Sequence, residues 1–216
     1  MPDIGATRSA ALALAEERRL MRQGYQFLDE KRVLVATEIV RRLREVEALE
    51  KTVRARLGAA QDALRATVLR HGWSDLLAYP PAVAPPEAPR TRRTLFLGVA
   101  ILEAEPPPDT GEGRAALDAS PEAQACSAAF RALLEPLVRL AAGTGNLERL
   151  AAEYRRTERR ARALENVLLP EVERVLTQVQ EQLELADLEE VARTRLAAGR
   201  HPSESFSADG SQVRTQ

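Results

Sequence analysis

The side chains able to carry acid–base, nucleophilic or metal chemistry in this 216-residue chain are two histidines, one cysteine and an abundance of carboxylates. His71 falls where a helix is expected to end, and His201 falls in a polar tail; a lone imidazole in either place reads as solvated rather than catalytic. Cys126 lies in an Ala-rich helical stretch and reads as a small buried hydrophobe. A single cysteine excludes an intramolecular disulfide and a cysteine-based metal cluster. The glycine-containing stretch Gly143-Thr144-Gly145-Asn146 lacks the lysine and serine or threonine that follow in a phosphate-binding loop. Glutamates interleaved with arginines along a helix read as a solvated face. No catalytic, cofactor-binding or metal-binding set is therefore assigned. The densest charged feature is Arg155, Arg156, Arg159, Arg160 and Arg162. It reads first as a solvated rim, and functionally as a docking patch for an acidic partner surface.

The elements that must position these groups are helical. Apolar residues recur at Val35, Ile39, Leu43, Val46, Leu49, Val53, Leu57, Ala60, Leu64 and Val68. They recur again at Leu147, Leu150, Tyr154, Ala161, Leu164, Leu168, Val172, Val175, Val179, Leu183 and Ala186. Steps of three and four align these side chains along one helix stripe. A stripe so long and narrow needs another of equal length, and the chain supplies one. The predicted fold is mainly α: a long antiparallel two-helix coiled coil of the N- and C-terminal helices, with a small proline-rich β-hairpin knob and a short helix between them.

Composition agrees. The chain is 44% hydrophobic but only 4% aromatic, so Ala, Leu and Val must fill the seam in place of large rings. A formal net charge of −1 argues against a dedicated nucleic-acid binder. No apolar run reaches the roughly 18 residues of a membrane span, and the start of the chain does not read as a signal peptide. A reducing, cytoplasmic setting fits the cysteine usage.

Five segments are expected: a long N-terminal helix over 1–72, a proline-rich knob over 73–120, a short helical segment over 121–145, a long C-terminal helix over 146–199, and a disordered tail over 200–216. Thr7 or Ser9 caps the first helix, Gly72 ends it, and the pairs Glu38–Arg42, Glu47–Lys51 and Glu50–Arg54 keep it soluble. Within the knob, Thr94–Leu102 reads as a strand bent at Gly98 with Leu76–Tyr79 as its partner. Trp73 is expected to pack the knob against the helix end. Ser120-Pro121 reads as a helix start. Pro136 should bend or split that helix, Asn146 should cap the next, and Pro170 should kink the last without stopping it.

Two stretches resemble the D subunit of the V-type and archaeal-type rotary ATPases. In the first, Thr7-Arg8, Gly24-Tyr25, Leu28 and Lys31-Arg32 stand at the family's spacing. In the second, Thr157, Arg159, Arg160, Ala163-Leu164-Glu165, Leu168-Leu169 and Pro170 do; Gly98 is a weaker third point. Arg162 stands where the family pattern has Asn, and Ala6 where it has Pro.

The resemblance implies a non-catalytic central rotor shaft that transmits torque between ATP hydrolysis or synthesis and ion translocation. Its implied partners are the catalytic A and regulatory B subunits of the hexamer, the F subunit, and the funnel-shaped C/d subunit above the membrane ring. It implies no cofactor and no nucleic acid, and a peripheral position on the cytoplasmic face of the membrane. Arg8, Lys31, Arg32, Arg159, Arg160 and Glu165 are the expected partner contacts. The alternative is a prefoldin-like coiled-coil chaperone subunit, which also pairs two helices around β-hairpins.

Overall fold

The computed structural model describes residues 7–76, 88–107 and 120–198. The expected tail with His201, the lead-in residues 1–6, and most of the strand proposed at Leu76–Tyr79 lie outside them. The elements in order are α1 (Arg8–Leu76), β1 (Arg90–Phe96), β2 (Val99–Glu105), α2 (Pro121–Ala163), a π-helical turn (Leu164–Leu168) and α3 (Leu169–Ala198). The long N-terminal helix and the long C-terminal helical run are in close contact, and a two-stranded antiparallel hairpin lies between them in sequence, as the heptad pattern predicts. The chain packs as two units. One joins residues 1–25 to 162–216, and the other comprises 26–161.

Helix α1 starts at a capped end: the Thr7 hydroxyl accepts a hydrogen bond from the Ala10 amide at 3.1 Å, which satisfies one of the orphan donors of the first turn. Its helical backbone breaks at Gly72 (φ 73°, ψ 166°), a conformation open to glycine at little cost. In the first unit, Leu14 packs on Leu176 and Val179, with Ala11, Ala15, Val175 and Leu183 around them. The ion pairs Arg8–Asp187 and Arg22–Glu173 show that the two helices run in opposite directions.

The second unit has a three-part core. Val35 and Ile39 of α1, Leu150 and Tyr154 of α2, and Phe96, Val99 and Ile101 of the hairpin close on one another. The stretch Thr94–Leu102 is the hairpin itself rather than one bent strand. Leu97 and Gly98 form its two-residue turn, with φ of 48° and 85°, and the strands pair from Phe96↔Val99 out to Arg90↔Glu105. Positive φ at both turn residues matches the right-handed twist of the flanking strands.

Two helix breaks expected from sequence are absent, each for a packing reason. Helix α2 runs unbroken through Gly143–Asn146. A Cβ on Gly143 would lie 2.8 Å from a methyl of Val46 on α1, so the glycine permits a close helix approach rather than a loop. Pro136 does not split α2 into two elements. A proline there leaves the Ala132 carbonyl, four residues earlier, without its helical donor, and the Arg56 guanidinium of α1 donates to that carbonyl at 2.6 Å.

Pro170 follows the π turn, in which the Leu169 amide reaches back to the Leu164 carbonyl. The helix continues beyond it, and the extra residue brings Leu169 rather than Leu168 to the inner side. Leu164 and Leu169 are half-buried and Val172, Leu176 and Val179 are buried, whereas Leu168 is exposed. Of the expected stripe, Leu168 is thus replaced by Leu169 and Ala186 is exposed, whereas Val172, Val175, Val179 and Leu183 pack as expected, with Leu176 buried beside them. On α1 the stripe is as expected except at Leu43 and Leu57, which are exposed.

Candidate partner-docking sites

The small segment that resembles a loop in sequence holds the hairpin. Asn146, 2% exposed, does not cap a helix. Its carbonyl oxygen accepts from the Leu102 amide at 2.8 Å, and its amide donates to the Leu102 carbonyl at 2.7 Å. Arg149, one turn on, donates to the Ala100 carbonyl at 2.9 Å and to the Asn146 carbonyl oxygen at 2.6 Å. Two side chains of α2 thereby stand in for a third strand along the free edge of β2. A buried amide that misses even one of these partners costs about 1–3 kcal/mol, so the clamp fixes the hairpin in one position. The sequence signal was available: an Asn between a helix-compatible glycine and an Arg at i+3 on the side of Leu150.

The start of α2 is a second clasp. Ser120 accepts from the Ala123 amide at 3.2 Å, and His71 Nε2 lies 2.7 Å from its hydroxyl. Arg70 pairs with Glu122 at 2.5 Å. Thr67, also buried, sits 3.0 Å from the Glu122 carbonyl and 2.8 Å from that of Ala63, its single hydroxyl proton shared between them. His71 is thus a structural partner and not the solvated ring its position suggested. Trp73, expected to pack, is 68% exposed, and Cys126 is half-buried.

The six expected contact residues occupy different settings. Lys31 pairs with Glu153 at 2.5 Å, both side chains 18% exposed, so this pair cross-links α1 to α2. Arg32 pairs with Asp29 on its own helix at 2.6 Å, and Arg8 with Asp187 at 3.3 Å. Arg159 and Arg160 are exposed, and no ion pair among the described residues engages them. Glu165 is exposed on the π turn. Arg8 and Glu165 belong to the first unit and the other four to the second; within the second, Arg159 and Arg160 are adjacent, and Arg155 and Arg156 are exposed one turn earlier.

One carboxylate is strongly perturbed. Glu38 lies on the half-buried side of α1. A hydrogen bond from Arg41, at 2.7 Å, and a second from Arg42, at 2.6 Å, outweigh burial and hold its pKa down to about 2. Of the expected same-helix pairs, Glu38–Arg42 and Glu50–Arg54 form. Among the described residues, no group of His, Cys, Asp or Glu is placed to hold a metal ion, and every buried side-chain polar atom has a partner. No described helix is long and apolar enough to cross a membrane.

What the geometry defines is an interaction scaffold: paired helices that clamp a hairpin and present a rank of exposed arginines. Comparison with known proteins places that scaffold. The family model for the D subunit of ATP synthase matches residues 10–199, and the chain belongs to this family. The D subunit of the V-type ATP synthase of Thermotoga neapolitana is 27% identical over 199 residues, covering 89% of this chain and 95% of that protein. The D subunit of the A-type ATP synthase of Thermococcus gammatolerans is 26% identical over 197 residues, covering 89% and 92%. The D subunit of the V-type ATP synthase of Anaeromyxobacter dehalogenans is 28% identical over 206 residues, covering 94% and 99%. The match leaves the prefoldin-like alternative without support.

Proposed function

We propose that this chain is the central-stalk rotor subunit of a V/A-type ATPase, and that it carries torque between the nucleotide-binding head and the ion-translocating ring. The observation that carries the reading is the locking of sequence-remote helices. Leu14 packs on Leu176 and Val179, with Arg8–Asp187 and Arg22–Glu173 tying the same helices together. Torque passes through a member only if its strands cannot slide past one another. Cross-links between residues about 150–180 positions apart oppose that slip. Chemistry at the ATP sites belongs on this reading to the catalytic A and regulatory B subunits, and this chain is non-catalytic. The F subunit docks at its flank, the funnel-shaped C/d subunit seats it above the ring, and the complex holds it on the cytoplasmic face of the membrane. Arg8, Lys31, Arg32, Arg159, Arg160 and Glu165 supply partner contacts, and Arg159 and Arg160 are exposed and outside the ion pairs of the described residues.

The test is charge reversal of Arg159 and Arg160 together, in the assembled ATPase. ATP-driven ion transport is expected to fall several-fold relative to ATP hydrolysis. The helical circular-dichroism melt should be unchanged, because neither side chain enters an ion pair among the described residues. Unchanged rotation and assembly would refute the docking role of this pair.

A further inference from the structure

The hairpin has two edges, and the fold treats them differently. In a two-residue hairpin the closing pair, Phe96↔Val99, exchanges its backbone hydrogen bonds, and pairs then alternate along the ladder. On β2 the outward-facing groups belong to Ala100, Leu102 and Ala104. Asn146 and Arg149 bond to the backbone of Leu102 and Ala100, in agreement with this phase. On β1 the outward-facing groups belong to Thr91, Arg93 and Leu95, and every residue from Arg90 to Leu95 is exposed. With β2 sealed by α2, the two-stranded sheet can grow only at β1.

Chemistry along that edge selects the occupant. All three cations of the hairpin, Arg90, Arg92 and Arg93, are on β1, and its carboxylates, Glu103 and Glu105, are on β2. Arg92 and Arg90 face these glutamates in the register, whereas Arg93 faces Leu102 and has no charged cross-strand neighbour. Leu95, next along the same face, is 72% exposed. The turn adds Leu97, held at φ 48° and 39% exposed. A leucine in the left-handed region is sterically disfavoured, and Asn or Gly is the usual occupant, so an apolar tip is kept against local preference.

We propose that β1 is the docking edge for an extended, acidic segment of a partner protein, which adds to the hairpin as a third, β-paired strand. Its backbone pairs with Thr91, Arg93 and Leu95. Its carboxylate lies against Arg93, and two positions along on the same face its apolar residue covers Leu95. Main-chain bonds supply affinity in such additions, and alternate side chains supply specificity. The proposal stands on the hairpin alone and is independent of the rotor reading.

The test uses the full chain and a synthetic capped threonine-rich peptide with a glutamate and a valine two positions apart, so that both fall on the face of Arg93 and Leu95, with the peptide carrying lysine in place of that glutamate as control. Binding is followed by amide NMR and hydrogen exchange. The acidic peptide is expected to slow exchange at Thr91, Arg93 and Leu95 at least tenfold, and to leave Arg92 and Thr94, already bonded to β2, unchanged. Thr91→Pro removes one outward donor, keeps every charge and spares the ladder to β2, since an edge N–H facing solvent is dispensable to the hairpin. It should weaken peptide binding about tenfold, while Arg93→Glu should weaken it further. Equal binding of the lysine peptide, or absence of protection at the three amides, would overturn the proposal. So would protection of those amides in the free chain, which would mean that the chain's own residues already cover the edge. Retention of the Arg92 and Thr94 protection in both variants separates lost docking from a lost hairpin.

Discussion

Arg56 and Pro136 should be energetically coupled although they are far apart in sequence. The Ala132 carbonyl loses its helical donor to Pro136, and the Arg56 guanidinium replaces that donor at 2.6 Å. Replacing Arg56 with Met keeps most of the stem and deletes the bond. Hydrogen bonds from charged donors are worth about 1.5–3 kcal/mol. This one is solvent-exposed, and water can partly replace the guanidinium, so a loss of about 1 kcal/mol is expected. Pro136→Ala restores the helical N–H, and in that background Arg56→Met should cost close to nothing. The double-mutant cycle should therefore return a coupling of about 1 kcal/mol, above the few tenths seen for independent sites. Urea unfolding followed by circular dichroism measures it, with about 2–4 °C of shift in a parallel thermal melt. Equal destabilisation by Arg56→Met in both backgrounds would refute the reasoning, because the carbonyl would then have no need of Arg56.

Gly143→Ala should destabilise by about 1–3 kcal/mol, because the new methyl meets Val46 at 2.8 Å. Gly58→Ala, with nothing within 4 Å, should stabilise by about 0.5–1 kcal/mol; chemical denaturation compares them directly. The pKa of Glu38 is lower in the folded chain, about 2, than its ordinary 4.5, so its contribution is complete above pH 4.5 and is lost as pH falls from there towards 2. At 13% exposure and with two guanidiniums that contribution should be about 1–3 kcal/mol, and Glu38→Gln should flatten the acid limb of a stability-versus-pH curve over that window. Asn146→Leu should free the β2 edge and speed exchange of the Leu102 amide at least tenfold, while the helical signal is retained.

The fold was legible where one rule acted alone. Heptad stripes over 35–68 and 147–186 announced two long helices, and the cap at Thr7, the stop at Gly72 and the start at Ser120-Pro121 followed from local chemistry. The reading failed where a partner element decided. Gly143, Gly145 and Asn146 form a loop signature in isolation, but each is explained by what lies across from it: Val46, the Arg149 guanidinium and Leu102. Pro136 reads as a break until Arg56 is placed beside Ala132. Thr94–Leu102 is short enough to pass as one strand, because Leu97 is an unusual turn residue and hides the Leu-Gly reversal. The candidate contacts were visible only as charges; which of them are used within the chain, as Lys31 is by Glu153, depends on the pairing of distant segments.

The surplus residue in the π turn is set by chain length and not by the proline that follows it. Between Leu164 and Leu169 the inward-facing side chains are five positions apart, where three or four is the rule. Converting Leu164–Leu168 to ordinary helix by replacing Pro170 alone would rotate everything downstream by about 100°, and Val172, Leu176 and Val179 would leave Leu14. A regular helix at this point therefore requires a one-residue deletion together with the proline replacement. Replacing Pro170 alone should therefore leave the π turn, and with it the packing of Leu14 on Leu176 and Val179, in place.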